Sequence, residues 1–206
     1  MLTASASLRR HQGFSLIELM VGLALLAFVL MMGVPAFGAF LQNQKLRDVA
    51  TSTLAAVQFA RTEAIRVNGN VDFIMTDTTP DVSNFTGLTA STSGRNLLIR
   101  GNVYNPSTGQ NEPKLLEMKG AHEGSGQAQD TTAVVQVTAT TGQVTFTPLG
   151  GTTLAADEVI QITNPAGGTC HASGGTMRCL NVVITRGGQV RMCDPAVTAA
   201  GDTRRC

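Results

Sequence analysis

Between Leu19 and Gln44 the chain has no charged residue, a run of 26 positions. As far as Leu41 the run is mostly Leu, Ala, Val, Met, Phe and Gly. About 20 such residues in a helix span the apolar layer of a bilayer, so the segment is long enough to cross one. Arg9 and Arg10 precede it. Basic residues stay on the cytoplasmic side, which puts the N-terminus there and the rest of the chain outside. A secretory signal has an apolar core of about 7–15 residues and a small-residue cleavage site. This core is longer, and residues 33–38 offer no convincing site. A plain single-pass anchor fits the length but leaves Glu18 unexplained. A carboxylate costs up to about 2.5–3.5 kcal/mol at the centre of the membrane and less near its face.

Gly13-Phe14-Ser15-Leu16-Ile17-Glu18-Leu19 accounts for the whole pattern. It resembles the leader junction of type IV pilins and type II secretion pseudopilins. The resemblance implies a leader of residues 1–13, cut by a prepilin peptidase between Gly13 and Phe14, with Phe14 then N-methylated. It makes Glu18 the fifth residue of the mature chain and Pro35 the twenty-second, where the family's helix commonly bends. Burial of Glu18 among packed helices requires a partner, and the new amino group of Phe14 on a neighbouring subunit supplies one. Such a pairing sets register, as a buried polar group does in a coiled coil. Pro35 lacks an amide donor and is expected to kink the helix. Gly33 and Gly38 flank it and weaken the helix further.

From Gln42 to Asn68 there is no Gly or Pro. Leu46, Ala50, Thr53, Val57, Ala60, Ala64 and Val67 recur at steps of three and four and share one face. Lys45, Asp48, Arg61 and Glu63 fall mostly off it and are expected to be solvated. Asn68-Gly69 is a stop signal. One helix over residues 14–68 follows, on the order of 80 Å long. Its first half, 14–41, is apolar and its second half, 42–68, amphipathic. Ala60-Arg61-Thr62-Glu63-Ala64-Ile65 is similar to the corresponding stretch of the GspH/FimT branch of the pilin-like family.

Residues 69–206 form a separate β-rich domain in this reading. Candidate strands are 71–76, 96–100, 114–119, 133–138, 143–147, 158–163, 180–185 and 189–193, with Gly187-Gly188 as a two-residue hairpin turn. Segments 77–94 and 120–132 are rich in Gly, Thr and Ser and read as loops. The fold class is α+β: a type IV pilin-like fold in which a long N-terminal helix packs on an antiparallel β-sheet domain.

Cys170, Cys179, Cys193 and Cys206 all lie near the C-terminus, in the part expected outside the membrane, where disulfides persist. Four cysteines allow three connectivities. Cys170–Cys179, closing a Gly-rich loop, and Cys193–Cys206, pinning the tail, are the favoured pairs. Free buried thiols are the alternative.

His11, His122 and His171 have no metal-ligand spacing around them, and no Gly-x-Ser-x-Gly elbow or phosphate loop is present. The sequence therefore calls for no catalytic residue, metal or cofactor. Charge is uneven. Residues 178–206 hold five arginines against Asp194 and Asp202, whereas residues 101–177 hold two lysines against six acids. Some FimT-type members resembling this chain bind DNA through C-terminal arginines in a Gly-Arg-x-Arg stretch. The nearest equivalent, Gly188-Gln189-Val190-Arg191, has Gln in place of the first Arg. Arg186, Arg191, Arg204 and Arg205 are the DNA candidates, and a solvated or subunit-interface cluster is the alternative. The resemblance implies a minor type IV pilin, held in the bacterial inner membrane with its C-terminal domain periplasmic. It would then join other minor pilins and the major pilin at the filament tip, priming assembly and supporting twitching motility. A type II secretion pseudopilin and a DNA-binding pilin for natural transformation are the other readings.

Overall fold

The computed structural model describes residues 15–120 and 135–206, apart from the side chains of 32–37 and 39. Gly13, Phe14, His11, His122, nearly all of the expected 120–132 loop and the start of the expected 133–138 strand lie outside the described residues. The chain divides into two compact units, Met1–Gly38 and Ala39–Cys206.

Helix α1 runs from Leu16 to Val67. Ser15 starts it: its hydroxyl accepts the amide hydrogen of Glu18 at 3.3 Å, half of a capping box. The end is a Schellman motif. Gly69 N–H reaches the carbonyl of Ala64 and Asn68 N–H that of Ile65. Asn68, not the glycine after it, takes the left-handed conformation, at φ 49°.

In the second unit α1 buries Leu46, Ala50, Thr53, Ala56, Val57, Ala60, Glu63 and Ala64. This is the face expected from the three-and-four spacing, except that Val67 is only half-buried and Glu63 joins it. Glu63 is buried with the apolar residues rather than solvated. The periodicity of its neighbours carries it inward, and Arg66, one turn on, supplies the charge that makes burial tolerable.

Among the described residues the β-domain has eight strands. They are β1 (Val71–Thr76), β2 (Asn96–Asn105), β3 (Gln110–Lys119), β4 (Gln136–Ala139), β5 (Gln143–Phe146), β6 (Glu158–Thr163), β7 (Leu180–Ile184) and β8 (Val190–Cys193). They form two four-stranded sheets, β3-β2-β1-β5 and β4-β6-β7-β8. All their pairings are antiparallel. The expected fold class is thus observed, with two sheets in place of one. The β2–β3 hairpin is also longer than expected. Gly101 and Pro113 read as strand ends, but β3 is a sheet edge, where proline is tolerated because one side of the strand has no partner.

One core joins the helix to both sheets. Leu46, Val57, Phe73, Ile99, Phe146, Ile160, Ile162 and Val182 belong to a single apolar cluster, each no more than 1% exposed. Fully burying such a side chain is worth about 1.5–3 kcal/mol.

The chain changes sheets between β4 and β5, at residues 140–142. Glu158, 1% exposed at the start of β6, holds that corner. Its carboxylate accepts from the Thr141 amide at 2.8 Å, the Thr141 hydroxyl at 2.9 Å and the Gly142 amide at 3.3 Å. Gly142 is left-handed at φ 75°, and a Cβ there would run into the Ser91 carbonyl. The β7–β8 hairpin closes through three residues, Arg186, Gly187 and Gly188, not two. Thr185 N–H bonds the Gln189 carbonyl, and Gly188 is left-handed at φ 80°. The single left-handed residue gives a type I turn with a bulge; a two-residue primed turn of type I′ needs two.

Candidate assembly site

Twelve large apolar side chains between Leu16 and Met31 are 53–80% exposed. A helix that is apolar all round is built to be covered by lipid or by other helices. Among the described residues no helix is long and apolar enough to cross a membrane; the run whose side chains are described stops at Met31. Phe40 and Leu41 are exposed as well. Pro35 lies within α1.

Glu18 sits in the first turn of α1, where the helix dipole favours a negative charge. Its side chain is exposed and has no partner among the described residues. The Ser15-to-Glu18 spacing is a capping signature that the sequence reading passed over.

Within the second unit, polar groups tie the loops to residues 42 and 43 of α1. Asn164, fully buried, donates from its amide to the Gln42 side-chain oxygen at 2.7 Å. Arg178 N–H donates to the Asn43 side-chain oxygen at 3.1 Å. Asn164 and Arg178 bracket the connection between β6 and β7. Within it Cys170 is joined to Cys179, with Cα atoms 5.4 Å apart. Cys193 is joined to Cys206, with Cα atoms 5.1 Å apart. No described cysteine is free. Neither asparagine nor Gln42 was singled out from the sequence, since isolated side-chain amides carry no pattern.

The candidate arginines divide. Arg191 on β8 donates to the carbonyls of Arg205 at 2.7 Å and Cys206 at 3.2 Å. Asp194 N–H bonds the Arg204 carbonyl at 2.7 Å, so the tail runs back alongside the end of β8. Arg204 pairs with Asp202 at 2.7 Å and holds that carboxyl down to about 2. Arg205 is exposed. Arg186 is in the hairpin loop, its amide on Asp157 and its carbonyl on Thr152. Three of the four therefore cluster at the tail. Of those three, Arg191 holds the tail and Arg204 is paired with Asp202 inside it.

In the middle of α1, Arg61 donates to the Gly150 carbonyl at 3.0 Å. Glu63 and Arg66 form a two-pronged pair at 2.6–2.9 Å. The Arg66 hydrogen bond is the main cause holding the Glu63 carboxyl below its usual range. The Ala60–Ile65 stretch is thus a docking surface for the sheets. Among the described residues no group of His, Cys, Asp and Glu is placed to hold a metal ion.

Residues 8–34 match the prokaryotic N-terminal methylation motif. This chain carries a prokaryotic N-terminal methylation motif. The resemblance drawn from Gly13 to Leu19 is borne out at that segment. Among solved structures the chain is similar to the type IV minor pilin FimU of Pseudomonas aeruginosa. The identity is 18% over 74% of this chain and 91% of that one, with a TM-score of 0.46. It is also similar to GspH of E. coli, at 16% identity over 79% of this chain and 93% of that one, with a TM-score of 0.43. A search of curated proteins finds no match.

Proposed function

We propose that this chain is a minor type IV pilin. A prepilin peptidase cuts it between Gly13 and Phe14, and Phe14 is N-methylated. Before assembly residues 14–41 hold it in the inner membrane, with residues 42–68 continuing the helix and residues 69–206 folded in the periplasm. It then joins other minor pilins and the major pilin at the filament tip, where it prims assembly and so supports twitching motility. One observation carries the reading: the methylation motif, residues 8–34, runs into the start of a helix whose large apolar side chains from Leu16 to Met31 are exposed. Such a helix needs lipid at first and neighbouring helices later. The role is structural. Glu18 pairs with the methylated amine of Phe14 on the next subunit and sets the axial step between them.

Two measurements test this. Mass spectrometry of the protein from its own membranes should give a mature N-terminus of N-methylated Phe14; any other start overturns the reading. Deletion should abolish surface pili and twitching. A deletion that blocks protein secretion and leaves pili intact assigns the chain to a type II secretion apparatus instead. DNA uptake is not adopted as the function, because Arg191 already holds the tail and Arg204 is paired with Asp202.

A further inference from the structure

The connection between β6 and β7 meets α1 at two adjacent residues. The Asn164 amide donates to the Gln42 side-chain oxygen at 2.7 Å, and Arg178 N–H donates to the Asn43 side-chain oxygen at 3.1 Å. The two donors stand at opposite ends of the connection, and the Cys170–Cys179 disulfide between them draws those ends together. Inside the loop it closes, His171 N–H reaches the Met177 carbonyl at 2.7 Å and Met177 N–H the Thr169 carbonyl at 3.0 Å. Met177, 1% exposed, is thereby seated in the core. A Cβ on Gly167 would run into Met177 and press on the Gln42 side chain, so the connection lies directly against α1.

Two features oppose this contact. Asn164 is fully buried, and its Oδ1 has no hydrogen-bond partner among the described residues. An orphaned buried acceptor favours any opening that lets water reach it. Arg47 on α1 and Arg178 on the connection line one cleft of about 410 Å³, with Asp194 the one acid among its lining residues. Their guanidinium groups are exposed and have no hydrogen-bond or ion-pair partner among the described residues. Like charges on both sides of the contact work against closure. Two hydrogen bonds thus stand against an orphaned acceptor and a like-charge pair. The disulfide decides the balance, because it restricts the open conformations that the loop can reach.

We propose that oxidation of Cys170 and Cys179 closes a latch on α1 at Gln42 and Asn43, and that reduction opens it. Closing turns two thiols into one disulfide. The two electrons and two protons pass to a disulfide-bearing oxidant, which leaves as a dithiol. Opening by a dithiol enters at Cys170, which is half-buried, whereas Cys179 is 4% exposed. A thiolate attacks the Cys170 sulfur, the S–S bond breaks, and Cys179 leaves as a thiolate that takes up a proton. The second thiolate of the reductant then attacks the mixed disulfide and frees Cys170. With the latch open, Asn164 turns to water and the turn of α1 around Gln42 loses its partners. Val57, Ala60 and Ala64, further along α1, stay in the core. The chain is therefore latched only after it reaches an oxidising compartment. That timing rests on the pilin reading given above; the latch itself does not.

The test uses the full chain, taken from its own membranes in neutral detergent, and reads amide hydrogen exchange by mass spectrometry. Cys170→Ser with Cys179→Ser should raise exchange over residues 40–48 about tenfold relative to residues 56–64. Cys193→Ser with Cys206→Ser should leave that ratio unchanged. If the first variant fails to fold, the unaltered chain titrated with dithiothreitol takes its place, with alkylation marking which cysteines are free. The ratio should then rise with alkylation of Cys170 and Cys179. An unchanged ratio overturns the proposal. So does the same rise in the tail variant, or one that follows alkylation of Cys193 and Cys206. The mature N-terminus is read in the same experiment and separates the two readings. A start other than N-methylated Phe14 with the expected exchange overturns only the pilin reading. A correctly processed chain with an unchanged ratio overturns only the latch.

Discussion

The carboxylate of Glu158 accepts the amide hydrogen of Thr141 at 2.8 Å and its hydroxyl at 2.9 Å, across the corner where the chain leaves one sheet for the other. Removing the acceptor also leaves the buried Gly142 amide without this partner, at about 1–3 kcal/mol. Glu158→Ala should therefore lower stability by about 2 kcal/mol in chemical denaturation of the full chain in mild detergent. Glu158→Gln keeps one acceptor oxygen and should lose less. Equal, small losses in both would show that the corner stands without this side chain.

The tail is held by one covalent bond and a few exposed hydrogen bonds. Cys193→Ser with Cys206→Ser should lower stability by about 2–4 kcal/mol, the range for a loop of this size. Limited proteolysis should then cut between residues 195 and 206 before any other described segment. A tail still protected after the substitution would mean that Arg191 and the Asp194 backbone suffice.

Acid should loosen the same tail. The Asp202 carboxyl, ordinarily near 3.8, is held down to about 2 by Arg204. A group lowered on folding stabilises above its unfolded pKa, and that contribution fades as pH falls through the folded value. The Arg204 pair is therefore complete above about pH 4 and lost as pH falls towards 2. Carboxyl NMR shifts across this range check it. A Asp202 midpoint near 4 would mean that the pair does not form in solution.

The two roles of Glu18 separate by substitution. Glu18→Gln should leave cleavage at Gly13 intact and prevent entry into filaments, since the amide cannot neutralise an amine. Ser15→Ala removes the N-cap, costing about 1 kcal/mol of helix stability, and should leave assembly largely unaffected. Immunogold counts on sheared pili read both. Filaments containing Glu18→Gln at the normal level would remove the pairing from the mechanism.

Much of the secondary structure was legible because its signals are local. The six residues 71–76 and the six residues 158–163 match β1 and β6 end for end. Alternating side chains bounded by turn residues need no knowledge of the rest of the chain. The helix face from Leu46 to Ala64 was readable for the same reason. The β2–β3 hairpin was cut short because Pro113 is acceptable only at an edge, and edge position belongs to the sheet. Glu63 was read as solvated from its charge, although its spacing already placed it inward.

Sequence alone determined the methylation motif, the charge-free helix and the positions of most strands, because each depends on neighbours within a turn or two. Tertiary structure decided how the strands divide into two sheets, why Glu158 is buried and which arginines remain unpaired. Those outcomes depend on groups far apart in the chain. Arg191 and Arg47 are the same residue type. One is held by tail carbonyls 14 and 15 residues away, and the other stands without a described partner over a cleft. Only folding distinguishes them.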